Sequence, residues 1–164
     1  MRLSLGNAVA IAVTATELWY ANLRGGRCFV RGVNLVASPG NFSEIQILNP
    51  VGSGVQAIVR AFIPSQGANS NMESRRFDTA LVTDVGTLFN LLAGGAASAC
   101  HLRTAQPAAA DGTLLTTFSL LATTPFQPAP DWFTELSPGQ GVILVPGGAN
   151  IQNTVSFFLM ENPQ

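Results

Sequence analysis

The chain has 164 residues, 47% hydrophobic but only 10% charged, with a net charge of −1, whereas a typical domain carries about 25% charged residues. At this size a single core buries roughly 70% of the surface that the unfolded chain exposes, so one domain is enough. All eight basic residues are arginine and only Arg75 and Arg76 are adjacent, which argues against the clustered positive footprint of a nucleic-acid binder.

So little charge leaves two readings of the outer surface. Either another subunit or another protein covers much of it, or alanine, glycine, serine and threonine make it neutral without making it adhesive. The arginines Arg24, Arg27, Arg31, Arg75, Arg76 and Arg103 fit the same two readings, as partners for acidic groups of another protein or as ordinary solvated side chains.

In chain order, residues 1–13 combine one arginine, an apolar stretch and an Ala10-Ile11-Ala12 triplet, a faint likeness to a secretory leader. Gly6 and Asn7 interrupt it, and Val9, Ile11 and Val13 alternate with alanine, which fits a strand over 9–15. Residues 1–23 are therefore expected to form an arm or edge strand and 24–164 the folded domain. No apolar run approaches the roughly 20 residues of a membrane helix.

Sixteen glycines and ten prolines fall between short apolar runs, which punctuates strands. Strands are predicted over 28–36, 44–48, 55–63, 79–83, 97–103, 114–121, 141–145 and 154–160, each rich in Val, Ile, Leu, Thr or Phe. Asn49-Pro50-Val51-Gly52-Ser53-Gly54 reads as the turn joining two of them. The fold class expected is all-β, an antiparallel sandwich of jelly-roll type with one or two short helical turns. The turns are placed at 17–23 and at 84–92, where Val85, Leu88, Phe89 and Leu92 would share a side before Gly94-Gly95. Residues 65–74 read as a polar, exposed loop. Residues 123–130 hold three prolines around Phe126, a stiff segment that presents Phe126, Trp132 and Phe133 to a neighbour or caps the end of the sandwich with them.

Catalytic chemistry finds little to work with. His101 is the only histidine, and Cys100 and His101 would point to opposite faces of a strand, so neither a zinc site nor a nucleophile pair is expected. Cys28 and Cys100 match no redox spacing and read as buried thiols, with a bridge as the alternative. Gly52-Ser53-Gly54 lacks the strand-to-helix setting of a nucleophile elbow, and the paired glycines lack the lysine of a phosphate loop. The nine carboxylates are scattered and select no acid pair. No enzyme activity, cofactor or metal is expected.

Trp132-Phe133-Thr134-Glu135-Leu136-Ser137-Pro138-Gly139-Gln140-Gly141-Val142-Ile143-Leu144-Val145-Pro146, the stretch Asn153 to Pro163 and the turn from Ile47 to Val55 resemble the β-sandwich virion proteins of tailed bacteriophages. These include capsid decoration (cement) proteins and related fibre-head domains. The resemblance covers about half the chain and carries no catalytic residues across. It implies a structural protein of the virion, assembled in the host bacterial cytoplasm. Its partners would be the major capsid protein and copies of itself, often as a homotrimer, with no nucleic acid and no membrane. Trp19, Tyr20, Phe126, Trp132 and Phe133 are the candidate interface residues. The alternative is a receptor- or glycan-binding tip domain of a tail fibre, in which Trp19, Tyr20, Trp132 and Phe133 would stack on sugars.

Overall fold

The structure, a computed structural model, describes residues 21–62, 65–120 and 134–164, without the side chains of 60–62 and 120. The strands are β1 (Cys28–Leu35), β2 (Glu44–Asn49), β3 (Val55–Phe62), β4 (Ser65–Gln66), β5 (Ser70–Arg76), β6 (Thr83–Thr87), β7 (Phe89–Asn90), β8 (His101–Ala105), β9 (Thr113–Leu120), β10 (Thr134–Leu136), β11 (Gln140–Pro146) and β12 (Asn153–Pro163). Two antiparallel sheets pack as a sandwich, the all-β class read from the sequence. The first runs β10-β3-β12-β1-β7 with β4 also on β12, and the second runs β6-β8-β2-β11-β5-β9.

The pairing is nested: β1 lies against β12, β2 against β11, β3 against β10 and β5 against β9. Strands β6, β7 and β8 come between β5 and β9 in the chain and extend the sheets beyond β2 and β1. Alternation supplies the core. From the first sheet come Val59, Leu136, Val155, Phe157 and Leu159, and from the second Ile45, Ile47, Met72, Leu102 and Leu144. Burying a side chain of this size contributes about 1.5–3 kcal/mol, so the central strands β2, β11 and β12 dominate the stability.

Most strand positions agree with the sequence reading, and four expectations differ. The helical turn placed at 84–92 is strand instead. Residues Thr83–Thr87 pair with β8 around a bulge at Gly86, whose φ of 107° suits glycine and not a helix. The supposed apolar face is split, with Leu88 buried and Phe89 64% exposed. The strand expected at 79–83 is displaced accordingly, and pairing starts only at Thr83. The loop expected at 65–74 holds β4 and most of β5, because Met72 and Ser74 alternate inward against β9 and β11. The strand expected at 97–103 begins at His101. A helical turn does occupy 21–24, overlapping the end of the expected 17–23 region. The strand expected at 9–15, and the segment 123–130, lie outside the described residues.

Candidate functional site

All five candidate interface residues, Trp19, Tyr20, Phe126, Trp132 and Phe133, lie outside the described residues. What the structure does bring together is a polar cluster on the outer face of the second sheet. In β2 the alternation sends Ile45 and Ile47 to the core and Glu44, Gln46 and Leu48 outward. Yet Glu44 and Gln46 are fully buried, because the segments 77–82 and 106–112 lie over them.

Gln46 holds the first segment with its whole amide. Its Nε2 donates to the carbonyls of Phe77 (2.8 Å) and Thr79 (2.9 Å), and its Oε1 accepts from the Leu81 N–H (3.0 Å). Arg103 Nε adds a bond to the Leu81 carbonyl at 2.7 Å. Glu44 and Arg75 hold the second segment. Glu44 Oε1 accepts from the Asp111 N–H at 2.7 Å, and Arg75 Nη1 reaches the carbonyls of Ala110, Asp111 and Gly112 at 3.1–3.4 Å. Glu44 Oε2 is buried without a hydrogen-bond partner among the described residues. Burial in the first place pushes the Glu44 carboxyl up to about 7, with the Asp111 charge adding to it.

Between the two segments lies a cleft of about 260 Å³ bordered by Phe77, Leu81, Val82, Ala105, Pro107 and Asp111. It falls below the roughly 300–1,000 Å³ of ordinary small-molecule sites, and its lining offers no nucleophile beside a base. Four of the six arginines singled out from the sequence are engaged by this chain's own groups. Arg75 pairs with Glu73, Arg76 with Asp78 and Arg103 with Asp84, while Arg31 donates to the Thr87 and Val85 carbonyls and sits 5.1 Å over the Phe89 ring. They fasten loops and edges of this chain.

The remaining chemistry-bearing groups are structural in their setting. His101 Nδ1 lies 3.0 Å from Asp84 Oδ2. Burial opposes ionisation of Asp84, but the Gly86 N–H bond, His101 and Arg103 outweigh it and hold the carboxyl below its ordinary range. Glu161, buried beside β1, accepts from the Ser98 hydroxyl and from the Cys100 N–H at 3.2 Å. Both cysteines are buried and free. Burial, and then the Glu161 charge, pushes the Cys100 thiol far up, and burial does the same to Cys28, which leaves two inert thiols and no bridge. Among the described residues no three His, Cys, Asp or Glu side chains are grouped to hold a metal, and no helix is long and apolar enough to cross a membrane.

No family model, no curated protein and no solved structure matches the chain.

Proposed function

We propose that this chain is a structural virion protein that decorates and stabilises the shell of a tailed-bacteriophage capsid, through contacts with the major capsid protein and with copies of itself. The observation that carries the reading is the nested strand order, β1-β12-β3-β10 facing β2-β11-β5-β9. We read this order as a jelly roll, an architecture used by viral capsid and lectin domains. The polar side chains support it, since the buried cluster on the second sheet is consumed in holding loops and the described cleft has no catalytic pair. The sparse charge fits a protein that works through buried area and many weak contacts. The first 23 residues serve in this reading as the arm that adds to a neighbouring sheet edge.

The same architecture includes lectins, and a glycan-binding fibre tip is the competing reading. Cosedimentation with shells assembled from a tailed-phage major capsid protein separates the two. The full chain is expected to bind the shells and to raise their resistance to heat, and a chain lacking residues 1–20 to bind them less well. Glycan or host-cell binding without shell binding would overturn the proposal in favour of the fibre tip.

A further inference from the structure

Among the described residues the two sheets end in four lateral edges, and three of them carry the devices that keep edges from pairing. Strand β10 carries the charged Glu135 among its described residues, and β7 has only two residues. Strand β6 carries Asp84, in contact with His101 and Arg103, and a bulge at Gly86. The fourth edge differs. Strand β9 is eight residues long, reads Thr-Leu-Leu-Thr-Thr-Phe-Ser-Leu without a charge, and leaves Leu114 51% and Leu115 52% exposed. Among the described residues it is the last strand of the second sheet, paired only with β5.

We infer that β9 joins two copies of this chain, edge to edge and antiparallel, into one sheet that runs through both subunits. Residues directly opposite in an antiparallel pair share a face. The register with β5 turns Thr116 and Phe118 toward Ser74 and Met72, on the sandwich side, and Thr117 and Ser119 outward with Glu73 and Asn71. A two-fold axis through Thr117 respects those faces, setting Thr117 against its own copy and Thr116 against Phe118. A ladder irregularity between Ser74 and Arg75 bends the start of the strand, so the regular stretch after Leu115 carries the pairing.

A second copy is the fitting occupant because an isologous contact requires a surface that complements itself. A charged edge brought against its own copy across a two-fold axis sets like charges together, which destabilises the pair. An uncharged strand of threonine and leucine has no such conflict, and a net charge of −1 adds little long-range repulsion between copies. Two-fold pairing also uses up both edges, so it closes at two subunits instead of growing into a fibre. It rests on the strand edge alone and is independent of the shell role. A trimer would have to use other surfaces, and the two states differ in mass.

The test is light scattering of the full chain over a dilution series, with amide hydrogen exchange on β9. The wild type is expected to show twice the subunit mass at high concentration, with protection of β9 amides that falls on dilution. Thr117→Lys, which places two ammonium groups at the axis, is expected to raise the dimer dissociation constant at least about tenfold, roughly 1.4 kcal/mol. Ser119→Lys, on the same outward face, should act alike if the first variant folds poorly. A wild type monomeric at every concentration would overturn the inference, and so would a dimer indifferent to both lysines. Strong β9 protection in a monomer would show the edge covered by the chain itself, and association only with another protein would assign it elsewhere; either result overturns the pairing.

Discussion

Replacing Gln46 with methionine keeps the length and nearly the volume of the side chain while deleting its amide. The three bonds lost are those to the Phe77 and Thr79 carbonyls and from the Leu81 N–H. Each is worth about 1 kcal/mol net. The two carbonyls recover part of that by turning to water as the 77–82 segment lifts. The Leu81 N–H sits in a residue only 3% exposed, and stranding such a donor costs about 1–3 kcal/mol. The expected loss is therefore about 2–4 kcal/mol, read as a lower urea midpoint at unchanged slope. At this chain length it corresponds to a fall in Tm of about 4–16 °C. Amide exchange localises the effect, because Leu81 should lose protection while Ile45 and Ile47 in the same strand keep theirs. A variant within about 0.5 kcal/mol of wild type, with Leu81 still protected, would refute the claim that Gln46 holds this segment down.

Glu44 predicts a pH dependence of definite sign. Its carboxyl is raised from an ordinary 4.5 to about 7 in the folded protein, so the folded state binds the proton more tightly and this contribution is complete below pH 4.5. It falls as pH rises through 7, by on the order of 3 kcal/mol in all. Urea titrations at pH 5 and 8 measure the loss, and Glu44→Gln should flatten it; an equal slope in both proteins would count against the assignment. Gly112 has a φ of 75°, and a Cβ there would stand 2.5 Å from the Arg76 carbonyl oxygen. Gly112→Ala should therefore cost about 2–3 kcal/mol in thermal unfolding. Cys28 and Cys100 should resist a thiol reagent at pH 8 in the native protein and both react in urea; rapid native labelling of either would contradict their burial.

The strands with dense apolar runs were legible from the sequence to within a residue or two, as β1, β2, β3 and β11 show, and β12 was found but runs three residues further, to Pro163. The elements missed are those where one or two polar or small residues break the pattern. Strand β5 has a single large apolar residue, Met72, on its inward face, and Ser74 beside it looks like loop chemistry although it is fully buried. In β6 the spacing of Val85, Leu88, Phe89 and Leu92 imitates a helix, and only pairing with β8 decides otherwise. The cluster under the 77–82 and 106–112 segments had a sequence signal that went unused. Glu44 and Gln46 sit at the outward positions of a strand otherwise suited to burial, which marks polar groups that need partners. Which backbone groups they would find could not be read from the sequence, since those partners lie 31 to 67 residues away.

The nested pairing has a consequence for how the chain folds as it is made. Strand β12 stands between β1 and β3 in the first sheet, and Cys28 meets Met160 while Leu35 meets Asn153. During synthesis β1 and β3 emerge early, and until Asn153–Pro163 follows they have only the short pairings with β7 and β10. For that interval Phe29 and Val59 lack the strand that finally covers them, and contacts so distant in sequence form slowly. The ribosome therefore releases the middle strand of this sheet after its neighbours, and folding there is completed from the outside in.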